Sequence, residues 1–183
     1  MISDEYMNGT GSMLQSEIEK AIQLNERFGL ILLNDPESSR LLRKLRDLVR
    51  RTDSAMLQSG VVSACARCAN DKGSCCFKEM GESYGAVGLF INMLLGSVFN
   101  EESEITEKTD LPGSCHFVGS SGCKLFARQS FCLNYFCPDL KNSVDEDTIL
   151  GIQRSVGQQL LAGWELERVL ARYMADADRQ THI

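Results

Sequence analysis

Histidine is nearly missing from this sequence, with two in 183 residues, His116 and His182. A His-based zinc hydrolase or a Ser/His/Asp triad would have to be assembled from those two. One lies beside a cysteine and the other next to the end of the chain, so both chemistries are disfavoured. Basic charge is short as well. Nineteen Lys and Arg stand against 25 Asp and Glu, a formal charge of -6 with a pI near 5.0, which removes the electrostatic footprint of a general nucleic-acid binder. The first ten residues carry neither a basic n-region nor an apolar h-region, so no secretory signal is read there and a reducing cytoplasmic setting is expected. Strand-like alternation, internal repeats and low-complexity tracts are wanting too.

Helical periodicity fills most of the remaining chain. Ser12 is a candidate cap with Gln15 reaching back to it, and apolar residues recur from Leu14 through Ile18, Ala21, Ile22, Phe28, Ile31 and Leu32 at a period near 3.6. Asn34-Asp35-Pro36 ends this helix and caps the next, whose buried face carries Leu41, Leu42, Leu45, Leu48, Val49 and Met56. The two read as an antiparallel hairpin over residues 12–60. A third pattern, over 143–176, opens with a capping box of Ser143 and Glu146 and continues through Ile149, Ile152, Val156, Leu160, Trp164, Val169 and Tyr173. Gly151, Gly157 and Gly163 each weaken that helix by about 1 kcal/mol relative to alanine, which predicts close helix contacts or a kink.

From Ser83 to Asn100 no charged residue occurs. At about 18 residues this run touches the lower limit for a membrane span, but Gly85, Gly88, Asn92, Gly96 and Ser97 and its acidic or neutral flanks favour a buried helix. The Gly81, Gly85, Gly88 spacing is no dinucleotide fingerprint, since it has neither the G-x-G-x-x-G register nor a preceding strand. An acidic polar linker, 100–110, follows. The outer face of the second helix holds Arg40, Arg43, Lys44, Arg46, Arg50 and Arg51 with one acid, Asp47. A solvated helix face is the plain explanation, and docking of an acidic partner the sharper one. Without aromatics among the charges, base stacking has no support.

What the chain has in excess is cysteine, eight in all, confined to residues 61–140. One group is Cys65-Ala-Arg-Cys68 and, after six residues, the doublet Cys75-Cys76. The other is Cys115, Cys123, Cys132 and Cys137. None falls in the helical patterns above, so irregular cysteine-rich loops are expected on a mainly α, single-domain scaffold of about four main helices. Thiolates are the soft anionic ligands that zinc and iron–sulfur centres select, and both metals accept ligands from loops. Redox thiols and buried filler remain as alternatives. Neighbours such as Cys75 and Cys76 rarely reach the same ion, so the doublet implies two centres or one spare thiol.

The series C-x2-C-x6-C-C, then Pro112-Gly-Ser-Cys115, Gly122-Cys123-Lys-Leu-Phe-Ala-Arg128 and Phe131-Cys132-x4-Cys137 resembles the CxxCxxCC-type zinc- or iron-chelating proteins, the YkgJ-like family of small bacterial proteins. Flagellin lysine N-methylases are similar to that family in their cysteine-rich part. The resemblance spans Cys65 to Cys137 and takes in all eight cysteines and Arg128. The gap before the doublet is longer than the family's short spacing, and Gln129 stands where an arginine-proline pair is usual. What the resemblance implies is a chelated Zn2+ or an iron–sulfur cluster, such as [4Fe-4S], without fixing a reaction.

The expectation is therefore a cysteine-ligated metal-binding protein, redox or structural, with Cys65, Cys68, Cys75, Cys76, Cys115, Cys123, Cys132 and Cys137 as metal ligands. Arg128 tunes the thiolates or pairs with an acid. The alternatives are a protein-lysine N-methyltransferase-like enzyme, or an adaptor that docks an acidic protein through residues 40–51. The enzyme reading has little of its own, because no C-x3-C-x2-C run and no glycine-rich loop after a strand is present. Neither nucleic acid nor a membrane span is expected.

Overall fold

The structure is a computed structural model, and it describes residues 13–70, 75–101, 105–107, 109, 111, 113–119 and 121–180. Helices α1 (Met13–Asn34) and α2 (Pro36–Gln58) form the expected hairpin. The Asp35 carboxylate accepts from the Ser38 amide at 2.8 Å, with Pro36 at the first helical position. The expected cap Ser12 lies outside the described residues. The charge-free run becomes α5 (Ala86–Phe99), ended by Asn100 in the left-handed conformation at φ 57°. Its 14 residues are short of the roughly 20 a span needs, and no helix among the described residues is long and apolar enough to cross a membrane. The last helix, α8 (Glu146–Gln180), is 35 residues long and unbroken.

The protein is mainly α, with more helices than the four long patterns: eight among the described residues, several of them short. The additional ones are α3 (Val61–Asn70), α4 (Lys78–Glu82), α6 (Ser130–Asn134) and α7 (Pro138–Ser143). One antiparallel hairpin, β1 (Val118–Gly119) with β2 (Gly122–Cys123), completes the fold.

Two cores hold these elements together. In the larger one Leu42 and Leu45 of α2, Leu89, Phe90, Leu94 and Leu95 of α5, and Leu166 and Leu170 of α8 are fully buried. Helix α8 lies along α2, while α5 packs mainly on α1 and more lightly on α2. The smaller core joins Met56 and Val61 to Leu133, Phe136 and Leu140 of the short helices and to Ile152 and Val156 of α8. Five- and six-residue helices do not persist alone. Here α6 is held by the buried Leu133 and α7 by the buried Leu140.

Several expectations need correction. Helix α8 starts at Glu146, with the Asp145 carboxylate accepting from the Thr148 amide at 2.9 Å. Ser143 is instead the last residue of α7, its hydroxyl bonded to the Leu140 carbonyl. Close contacts do not explain the glycines of α8, since a Cβ placed at Gly151, Gly157 or Gly163 meets no atom within 4 Å. Ile31 and Trp164, read as members of apolar stripes, are exposed at 54% and 53%, because each helix turns that flank away from its partner. The acidic linker is not wholly solvent-facing either, as Ile105 is buried and its carbonyl meets His116 Nε2 at 3.1 Å.

With open space around Gly157, alanine there raises the stability of the chain by about 0.5–1 kcal/mol through helix propensity alone. Urea denaturation of Gly157→Ala checks this, and an unchanged or lowered midpoint contradicts it.

Candidate metal centre

The cysteines are not gathered in loops alone. Cys65 and Cys68 are three residues apart on α3, which places both on one helix face. Cys132 sits within α6, Cys137 caps α7 and Cys123 is in β2, leaving Cys75, Cys76 and Cys115 outside regular structure. The reason is local. The C-x-x-C spacing that suits a metal turn also suits one turn of helix, and the apolar Val61, Val62 and Ala64 beside it supply a face to bury.

Backbone pairing draws the two sequence groups together. The Cys115 amide donates to the Cys76 carbonyl at 2.7 Å, the Lys78 amide to the Gly113 carbonyl at 3.2 Å, and Phe77 bridges Ser114. Helix α4 presses on this seam at Gly81. A Cβ there would stand 3.2 Å from the His116 nitrogen and 3.5 Å from Cys115 Sγ. From the other side α3 packs on β2, bringing Cys65 and Cys123 to line one cavity of about 270 Å³ with Cys132. Cys65, Cys68, Cys75, Cys76 and Cys137 line a second, of about 890 Å³.

Electrostatic coupling among the thiols crosses the two sequence groups. Cys65 is perturbed by Cys75, Cys137 and Cys68, none of them from the 115–132 stretch. Cys76 is perturbed by Cys123 and Cys132 besides its neighbour, and Cys115 by the same two. Cys132 in turn is perturbed by Cys75 as well as Cys123. The two thiols of the doublet are hydrogen-bonded to each other.

Burial dominates the acidities. It pushes the Cys65 and Cys115 thiols up to about 11, with neighbouring thiols adding to the rise. Burial also raises Cys132, where a hydrogen bond from Tyr84 partly offsets it. Cys123 is an exposed residue on β2, yet the chain crowded about its thiol raises it too. Only within the doublet does the direction split, because the Cys76 S–H donates to Cys75, holding Cys75 low and Cys76 high. All eight cysteines are unpaired by disulfides. Among the described residues, no three His, Cys, Asp or Glu side chains stand at the spacing that holds a metal ion.

Three polar residues position the gathering. Arg128 is ion-paired with Asp53 and its guanidinium also meets Met56 Sδ at 3.5 Å. Its charge still lowers Cys65, Cys123 and Cys132. Asn92 of α5 holds the chain just before it, accepting from the Ala127 amide at 2.9 Å and donating to the Ala127 carbonyl at 3.0 Å. Tyr84 accepts from the Gln129 amide at 3.0 Å while reaching Cys132. The sequence pointed to Arg128. It gave no sign of Tyr84 or Asp53, and named Asn92 only among the residues that disfavour a membrane span.

Of the basic face on α2, Lys44 pairs with Glu165 at 2.7 Å, Arg46 with Asp47 at 2.8 Å, and Arg50 stacks on the Phe99 ring at 5.0 Å. Arg43 also donates to Ser39 Oγ at 2.5 Å, so four of the six basic residues of that stripe are engaged within the chain. His116 packs edge-on to Phe117 and contacts the Ile105 carbonyl; His182 lies outside the described residues.

Compared with models of known protein families, with curated proteins and with solved structures, the chain matches none.

Replacing Asn92 by leucine leaves both backbone groups of Ala127 without partners. A loss of about 2–4 kcal/mol is expected, with faster amide exchange at Ala127 than elsewhere in the larger core. Unaltered exchange at Ala127 would contradict the latch.

Proposed function

We propose that this chain is a cysteine-ligated metal-binding protein of a reducing, cytoplasmic setting, holding an iron–sulfur cluster or zinc between its short helices. The observation that carries the reading is the convergence of seven thiols, from α3, the doublet, β2, α6 and the cap of α7, around two adjoining cavities, with the eighth, Cys115, tied to the doublet by the backbone seam. Buried cysteine used only as packing has no cause to come from five separate segments to one place.

The donor set fits either metal. Cys65, Cys68, Cys75 and Cys137 would supply one all-thiolate shell, and Cys76, Cys115, Cys123 and Cys132 a second. That division also answers the doublet, whose two thiols then serve different shells. An iron–sulfur cluster would supply one-electron transfer, and zinc a structural cross-link. The chain's own part is to desolvate the thiols, to set Arg128 where its charge offsets theirs, and to hold Cys132 through the Tyr84 hydroxyl. The resemblance to the YkgJ-like proteins points the same way.

Thiols lifted by burial hold their protons at neutral pH, so metal must displace protons to bind. Affinity therefore rises with pH up to about 11, where Cys65 and Cys115 ionise unaided. Anaerobic purification followed by metal and sulfide analysis decides the identity. Iron with sulfide and a broad absorption near roughly 400 nm selects the cluster, whereas colourless protein with zinc selects the cross-link. Metal-free protein that keeps its fold and takes up neither metal at any pH rules the proposal out.

A further inference from the structure

The second of the two thiol-lined cavities, about 890 Å³, is far larger than its thiols need. Sulfurs held about 2.3 Å from a zinc ion make a compact unit, whereas this volume lies near the top of the range of small-molecule sites, roughly 300–1,000 Å³. What surrounds the thiols has a character of its own. Phe77, Phe131 and Tyr135 line the cavity at 43%, 43% and 45% exposure, and Trp164 is the one other large aromatic so exposed among the described residues. Their position follows from α6. Leu133 and, just beyond the helix, Phe136 are buried in the smaller core, which turns the opposite side of the helix to the cavity. There Phe131 and Tyr135, four residues apart, stack at 5.1 Å with their planes 14° apart. The two rings present one continuous apolar wall. Phe77 is held by its backbone bridge to Ser114.

Charge supplies a second observation. Apart from the thiols, the ionic side chains that line the cavity among the described residues are Arg67 on α3 and Asp139 on α7. They are opposite in sign, yet they do not pair with each other, and neither has a hydrogen-bond or ion-pair partner among the described residues. An anion in the cavity gains from Arg67 and is repelled by Asp139, and a cation meets the reverse. A molecule that carries both charges satisfies both. Since the two residues stand on different helices around a volume greater than one amino acid fills, those charges belong at the two ends of a longer molecule.

We infer that this cavity binds a short peptide with free ends and an aromatic side chain, its carboxylate at Arg67, its ammonium at Asp139 and its ring against the wall of Phe131 and Tyr135. None of these residues is among the proposed metal ligands, so the inference goes beyond the metal reading and is tested apart from it.

The probe is the dipeptide alanyl-phenylalanine, with three controls that each lack one feature: its N-acetyl form, its C-terminal amide, and alanyl-leucine. Titrated calorimetrically into the reduced full chain, the dipeptide is expected to bind one site with a Kd on the order of 10–100 µM, and each control about three- to tenfold more weakly. Arg67→Gln should erase the preference over the amide alone, Asp139→Asn the preference over the acetyl form alone, and Phe131→Leu with Tyr135→Leu the preference over alanyl-leucine. Far-UV circular dichroism checks the fold of each variant, and the four ligands compared on the native chain need no variant. Any control that binds the native chain as tightly as the dipeptide overturns the inference. So does a preference that persists in its matching variant, or the absence of saturable binding up to about 1 mM. A parallel titration of Zn2+ keeps the two readings apart, because metal uptake without dipeptide binding overturns this inference alone.

Discussion

The Ala127 backbone, gripped on both sides by the Asn92 amide, is the contact from which the rest of the structure takes its arrangement. Helix α5 belongs to the larger core, whereas residues 124–137 hold only the five-residue α6 and are otherwise irregular backbone. Asn92 ties one to the other inside the protein, where a lost partner is expensive. Everything downstream is placed from that point. Arg128 turns to Asp53 and the thiols, Gln129 meets Tyr84, and α6 and α7 follow with Cys132 and Cys137.

The same few residues separate two regions of different character. Tyr84 and Arg128 line an apolar groove between α5 and α8, and both also act on Cys132 across the 127–130 turn. On the thiol side burial works against charge and raises Cys65, Cys76, Cys115, Cys123 and Cys132, with Cys75 alone held low by its neighbour. On the groove side burial leaves the Gln159 amide oxygen without a partner among the described residues. Both are places where the chain has kept a cost that simple packing would have removed, and such departures from local consistency are where function is sought.

Long periodic elements were readable directly. The 3.6-residue stripes of α1, α2 and α8 and the Asp35-Pro36 cap follow from local sequence, and α5 was legible as a charge-free run whose glycines, Asn92 and flanks favour a buried helix. The short helices were not. Val61–Asn70, Ser130–Asn134 and Pro138–Ser143 have too few turns to show a period, and each owes its form to Leu133, Phe136, Leu140 or Val61 entering a core built elsewhere in the chain. Hence Cys65 and Cys68 looked like a loop motif and are a helix face. Spacing also cannot reveal the seam between Cys76 and Cys115, which is a long-range pairing. Trp164 was misplaced for a related reason: periodicity puts it on the apolar flank of α8, but whether a neighbour covers that flank is a tertiary matter.

The central claim is that thiols from both stretches form shared shells, with Cys137 joining Cys65, Cys68 and Cys75, and Cys76 joining Cys115, Cys123 and Cys132. Differential alkylation tests it most directly, by mass spectrometry of each cysteine as metal is titrated into the reduced chain under anaerobic conditions. The account predicts two protection profiles, in which Cys137 follows Cys65 and Cys76 follows Cys123. Protection divided instead along the sequence, with Cys76 following Cys65 and Cys137 following Cys123, or no protection at any metal concentration, would contradict it.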